Sequence, residues 1–404
     1  MQEQQLKSLS GSVQPRFIIG YYQLHPDVNF NFQMNRWISY MGEAALADMR
    51  RVAPTIKTFA DWKREFLALG ARYEANGDLI YAGYYYRLAE FFMFADDPDK
   101  KVYREKFLAN VRTGYGIRGE DRHLVPYDDG RQKGFLPAYR FTPDRPCGTI
   151  VVFGGGDSYV EEWLPFLLDI RDRGYDVVCY EAPGQGGALE DYHLYMTADW
   201  HISAKAVLDY FGLDDVTLVG ISGGGLMVMR TAAYEPRIKR VVALDALYDA
   251  LEAWMSGFSP AARLFFRMML SLRARPVLNA VMGAAMKRSL WAKWAMSQAM
   301  HTEGVSTPYD NLKIVSRFNA RDVSHLVKQD VLLLCGSEDH AIPVSQLYKQ
   351  MQALTNAKSI TARIFTRAEH AQSHGQVGNI GLAIDVIVGW VDLTVSHSSD
   401  RAAG

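Results

Sequence analysis

From about residue 35 to 117, apolar and aromatic residues recur three and four positions apart: Trp37, Tyr40, Met41, Ala44 and Leu46, then Trp62, Phe66, Leu67 and Leu69. The spacing predicts four helices, with Thr58, Asp78 and Asp97 as caps and Gly70, Gly77 and the run 96–99 as punctuation. Residues 81–94 are aromatic all round, which predicts a buried helix; each ring reads first as core, and whether some also wall a pocket is left open by the pattern. After His123 the period shortens. Residues 123–127 and 134–141 read as a hairpin, and 148–153 as a third strand. Helical patterns at 161–173, 198–211 and 224–234 then alternate with apolar runs at 176–181, 216–221 and 241–247, which specifies a parallel sheet wrapped by helices.

The alternation stops between residues 249 and 321. This stretch has helical runs rich in methionine (Met255, Met268, Met269, Met282, Met286, Met296, Met300) and tryptophan (Trp254, Trp291, Trp294), but no strand. Sheet patterning resumes at 330–335 and 360–365, with helices at 345–354 and 381–393. The fold class is therefore α/β, divided into an N-terminal helical domain (1–118), a sheet core in two parts (119–249 and 324–395), a helical cap insertion (250–323) and a disordered tail (396–404).

Composition narrows this picture only a little. Of 404 residues, 49% are hydrophobic and 22% charged, which excludes fibrous and disordered classes. A formal net charge of -1 gives no reason to expect nucleic acid as a partner, and the basic stretches 101–106 and 263–275 read as solvated helix faces. Residues 1–15 lack the apolar core of a signal peptide, and no uninterrupted apolar run could span a bilayer, so a cytoplasmic protein without a membrane span is expected. Cys147, Cys179 and Cys335 lack metal-ligand spacing and read as reduced thiols; neither metal nor cofactor is expected. A homodimer is compatible with the chain.

The candidate chemistry begins where the run 216–221 turns into a helix through Gly220-Ile221-Ser222-Gly223-Gly224. This is a Gly-x-Ser-x-Gly corner, which lifts a serine hydroxyl above a sheet edge. A serine attacks only if a histidine takes its proton and a third group orients that histidine. The loop after strand 330–335 offers Asp339, beside Glu338 and His340, which read as solvent-facing. The loop after strand 360–365 offers His370 and His374, of which His374 stands nearer the last helix and is preferred. Gly223 and Gly156, the latter in the turn Gly154-Gly155-Gly156-Asp157, are the expected donors of an oxyanion hole.

Several stretches carry a family resemblance. They are the aromatic helix 84–92, Gly155-Gly156-Asp157-Ser158 followed by Glu161-Glu162, Ala182-Pro183-Gly184-Gln185-Gly186, residues 220–224 with 230–238, and residues 369–379. In these the chain resembles the α/β-hydrolases with a helical N-terminal domain: 2,6-dihydroxypseudooxynicotine hydrolase, the fungal yellowish-green (polyketide-shortening) hydrolases and the FrsA-like esterases. It departs from them at Gly375, often cysteine there, at His370, often glycine, and in a longer cap. The resemblance supports His374 over His370. It implies a serine hydrolase cleaving a carbon-carbon bond next to a ketone, or an ester, in a small hydrophobic aromatic or polyketide-like molecule, in secondary metabolism or aromatic catabolism. An acid beside the pocket would help protonate a departing carbon, and Asp157 and Asp249 are the candidates, although both read first as ordinary turn or capping carboxylates. Acyl transfer or cyclisation through the same acyl-enzyme, and a non-catalytic ligand-binding protein on a hydrolase scaffold, are the alternatives.

Overall fold

The computed structural model describes residues 17–402, without the side chains of 396–402. Among the described residues the N-terminal layer has five α-helices rather than four: Val28–Met41, Glu43–Val52, Phe59–Ala75, Leu79–Phe91 and Pro98–Gly114. The first begins ahead of the apolar spacing because the Asp27 carboxylate accepts the amides of Asn29 and Phe30. Its buried side also carries Asn31, Gln33, Asn35 and Ser39, which a search for apolar periodicity passes over. Gly42, at φ 85°, separates it from the second helix. Thr58 forms a capping box with Asp61, and Asp97 caps the fifth helix through the amide of Asp99. Asp78 stands at the cap position, but its side chain makes no capping bond.

Tyr84, Tyr85, Tyr86, Leu88 and Ala89 of the fourth helix are buried, and the hydroxyls of Tyr85 and Tyr86 donate to Asp48 and Glu74 at 3.0 and 2.7 Å. The same helix buries Arg87, which donates to Glu162 at 2.5 Å, pairs with Glu90, and reaches the Asp157 carbonyl at 3.0 Å. This ionic cluster locks the helical layer onto the sheet. Removing one partner would strand a buried charge, at a cost on the order of 3–5 kcal/mol.

Eight strands form one sheet: β1 Arg122–Asp128, β2 Lys133–Phe141, β3 Thr149–Phe153, β4 Asp176–Tyr180, β5 Val216–Ile221, β6 Ile238–Leu244, β7 Asp330–Gly336 and β8 Ser359–Phe365. Their order is β1-β2-β4-β3-β5-β6-β7-β8; β2 pairs antiparallel with β1 and β4, and all other pairs are parallel. Successive side chains point to opposite faces. Ile150, Val152, Val219, Ile221, Leu332 and Leu334 face the N-terminal helices and the last helix, while Val151, Phe153, Leu218, Val331 and Leu333 face the helices Trp200–Phe211 and Gly224–Ala232.

The differences from the sequence pattern are local. β6 begins and ends three residues earlier than the apolar run suggests, which leaves Asp245 just beyond the sheet. A short helix, Gly186–Glu190, follows β4 where the sequence shows no helical spacing. The last helix runs Ile380–Ala402, through most of the stretch expected to be a disordered tail, because extending an existing helix adds a hydrogen bond per residue without a new nucleus; 403–404 lie outside the described residues. Between β6 and β7 stand the helices Ala250–Trp254, Pro260–Ser271, Arg275–Arg288, Leu290–Thr302 and Pro308–Val315, with a core of their own around Met255, Phe266, Leu278, Met282 and Met296. Among the described residues no single helix is long and apolar enough to cross a membrane.

Candidate active site

β5 ends at Ile221, and the chain turns through Ser222 at φ 59° into the helix Gly224–Ala232. Gly220 is obligatory, because a Cβ there would run into the carbonyl of Gly224. Gly225 lies outside the serine motif yet is equally constrained, since its Cβ would collide with the carbonyl of Asp245. Gly225→Ala is therefore expected to lower thermal stability by about 1–3 kcal/mol or more, the usual cost of overpacking, and to displace Asp245. A thermal melt checks this, and an unchanged midpoint would contradict it.

His374 enters from the loop after β8. Its Nε2 lies 2.8 Å from Ser222 Oγ, and its Nδ1 lies 2.8 Å from Asp339 Oδ2. The structure thus brings together three residues from three loops at the carboxyl edge of the sheet, where α/β folds gather their ligands. It also adds one that sequence reasoning missed: Asp245 Oδ2 stands 3.0 Å from the same Nδ1. His370 is not part of this cluster; at φ 58° it closes a short turn, its carbonyl tucked against Gly378.

The two carboxylates are held differently. Asp339 Oδ1 accepts the amides of Ala341 and Ile342 at 2.7 and 2.8 Å, whereas Asp245 accepts the amide of Gly375 and the Gln376 side chain, each at 2.8 Å. Burial pushes both acids upward. For Asp339 the facing His374 and the two amides outweigh burial and hold it below the usual carboxylate range; for Asp245 burial prevails and the pKa is raised. Burial disfavours the His374 imidazolium, but the two carboxylates overcome it and raise His374 well above its ordinary value. The ligand atoms of Asp245, Asp339 and His374 lie within 4.8 Å of one another, spacing that could hold a metal ion. Here His374 Nδ1 faces Asp339 Oδ2 and Asp245 Oδ2 directly, and its Nε2 faces Ser222 Oγ, the arrangement of a serine triad's imidazole.

Above the serine, the turn after β3 is braced by Gln185, whose Nε2 donates to the carbonyls of Gly154 and Gly155 at 2.7 and 2.6 Å. The Gly155 amide is taken by Ser158 Oγ at 3.0 Å. Among the described residues, the amides of Gly156 and Gly223 donate to nothing in the protein, and Gly156 N lies 3.6 Å from where a Cβ of Gly223 would stand. Two free N–H groups side by side near a serine can hold an oxyanion.

A cavity of about 220 Å³ opens onto Ser222 and His374. Phe91 and Phe92 wall it together with Trp291 and Trp294 of the cap, so these two rings belong to the core and line the cavity as well, while Tyr84, Tyr85 and Tyr86 are core alone. Gln33, Arg36 and Tyr40 reach it from one face of the first helix, at i, i+3 and i+7. His340 faces solvent, as expected, yet also lines the cavity rim, its ring 4.8 Å from Phe32 and 6.2 Å from His374; desolvation and the neighbouring His374 lower its pKa. Glu338 does face outward, paired with Arg367. Of the two candidate acids, Asp157 lines the cavity. Asp249 does not: it caps the helix Ala250–Trp254 through the amide of Glu252 and pairs with Arg321, so it is a structural carboxylate.

The chain belongs to the α/β hydrolase fold family: residues 149–372 match the model of that family, more than half of the chain, and the protein is an α/β-hydrolase. Its relatives include the hydrolyase poxO of Penicillium oxalicum, 27% identical over 88% of this chain and 94% of that one. The α/β hydrolase psoB of Aspergillus fumigatus is 28% identical over 80% of this chain and 81% of its own. Among solved structures, 2,6-dihydroxy-pseudo-oxynicotine hydrolase shares the fold, with a TM-score of 0.58 at 19% identity over 88% of this chain and 96% of that one.

Proposed function

We propose that this protein is a serine hydrolase that cleaves an acyl bond in a hydrophobic, oxygen-bearing molecule of aromatic or polyketide type, in secondary metabolism or aromatic catabolism. The observation that carries the reading is the continuous chain of hydrogen bonds from Ser222 Oγ through His374 to Asp339, opening on an aromatic-walled cavity. Ser222 attacks the substrate carbonyl while His374 takes the hydroxyl proton, and the carbonyl oxygen becomes an oxyanion facing the amides of Gly156 and Gly223. Collapse of that adduct breaks the carbon-carbon or ester bond. The leaving group departs as an enolate, phenolate or alkoxide and receives the proton from His374. Asp157 is the additional acid the cavity offers for a departing carbon. Water, deprotonated by His374, then attacks the acyl-serine and releases a carboxylic acid.

The polar atoms of the cavity support an oxygenated substrate. Gln33 Oε1, Tyr40 Oη, Trp163 Nε1 and Trp294 Nε1 all belong to lining residues, and all are buried without a hydrogen-bond partner within the protein. Unpaired buried polar atoms are costly, and a ligand bearing hydroxyl and carbonyl oxygens would satisfy them.

Product analysis tests the reading. Offered an aryl β-diketone and a matched aryl ester in ¹⁸O-water, the enzyme is expected to release a carboxylic acid carrying one ¹⁸O. Accumulation of an acyl product on an added alcohol would instead mean acyl transfer, and binding without turnover would mean a ligand-binding protein.

A further inference from the structure

Between Ala253 and Thr302 the chain contains seven cations, Arg263, Arg267, Arg273, Arg275, Lys287, Arg288 and Lys293, and no carboxylate, in a protein whose formal net charge is -1. Arg263 is spent on the carbonyls of Ser256 and Phe258, Arg275 pairs with Asp310, and Lys293 lies over Phe94. Arg267, Arg273, Lys287 and Arg288 are exposed and have no ion-pair partner among the described residues. Beside them, Leu264, Met268 and Leu272, four residues apart on the helix Pro260–Ser271 and its cap, are 68%, 47% and 67% exposed. Val277, Val281 and Leu290 of the neighbouring helices are also exposed. Phe266 of the same helix turns inward to the cap core, so the outward row is a second apolar stripe that the fold leaves uncovered.

We propose that this face of the cap docks on the surface of an anionic lipid bilayer. An apolar stripe flanked by cations, with the nearby Asp310 already neutralised by Arg275, is the composition of helices that lie in a membrane interface, the side chains entering the acyl boundary and the cations meeting headgroups. Charge argues against a second copy as the occupant, since a two-fold contact would set like charges against like. The same cap carries Trp291 and Trp294 to the catalytic cavity, so docking holds that cavity beside the phase in which an apolar substrate dissolves. The proposal does not depend on which bond the enzyme cleaves.

Sedimentation of the full chain with vesicles tests it. With phosphatidylcholine–phosphatidylglycerol vesicles at low salt the bound fraction is expected to exceed that with phosphatidylcholine alone by about tenfold, and to fall as salt screens the headgroups. Leu264→Ser with Leu272→Ser, and separately Arg267→Glu with Arg273→Glu, are expected to abolish this binding while leaving a cooperative thermal melt and the far-UV circular dichroism unchanged, which reports that the variants fold. No difference between the two vesicle types would overturn the proposal. So would binding of both paired variants as tight as the parent's, a stable dimer dissolved by the leucine substitutions, or capture of duplex DNA in preference to vesicles.

Discussion

Ser222→Ala is expected to leave a folded protein with kcat lower by about 10⁴–10⁶-fold, the range seen when a nucleophile is removed from a serine triad. The loss should fall on kcat rather than on ligand affinity. The hydroxyl contributes one hydrogen bond, to His374 Nε2, and is one small group among a lining supplied mostly by the first helix, the aromatic helix and the cap. Fold and binding should therefore survive, visible as an unchanged thermal midpoint and an unchanged Kd for a non-cleavable ketone. His374→Ala is expected to match it within about tenfold, because the two act as one unit and the second deletion removes little that the first has left.

The second large effect separates the two carboxylates. Asp339 is held ionised by two amides and faces His374 Nδ1, so it fixes the tautomer that leaves Nε2 free to accept the Ser222 proton. Asp339→Asn is expected to lower kcat/KM by about 10³–10⁴-fold, by analogy with triads in which the same change supplies the wrong tautomer. Asp245 stands 3.0 Å from the same nitrogen and has its own donors in Gly375 and Gln376. Its removal leaves the tautomer to Asp339 and acts mainly on the charge of the imidazolium. Only neutral His374 can take a proton, so activity falls as pH drops through the His374 pKa. Two carboxylates raise that pKa, and removing one lowers it. The acid limb of the kcat/KM profile is therefore expected to move to lower pH in Asp245→Asn, with a smaller loss at the optimum than in Asp339→Asn. An unmoved limb would mean that Asp245 bears no charge in the working enzyme.

The contrast between Asp339 and Asp245 shows what could be read from the chain alone. Asp339 follows a bounded apolar strand in a loop with a proline soon after, so its place at the sheet edge is a local property of the sequence. Asp245 sits within the apolar stretch 241–247, and an alternation-based reading passes the strand straight through it. The strand in fact ends at Leu244, where the backbone of Asp245 meets Gly225 of the next helix, a tertiary contact that no local pattern records. The alternating strands and helices of the core were legible for the same local reason as Asp339. The first helix was read late because a polar face buries in it, and Gln33, Arg36 and Tyr40 become recognisable as pocket residues only once that face is set against Ser222. Phe91 and Phe92 look like the tyrosines before them; their separate role comes from lying at the end of the helix under the cap. Asp249 follows the plainer of its two readings, since a carboxylate after a strand equally well caps the next helix.

The central claim is that Ser222 is a nucleophile activated by His374, and a fluorophosphonate probe measures this without knowledge of the substrate. The folded protein is expected to take up one probe per chain, on Ser222 by peptide mass, with Ser222→Ala unlabelled and His374→Ala labelled slower by several orders of magnitude. Labelling absent from the folded parent, or unchanged in Ser222→Ala, would contradict the account.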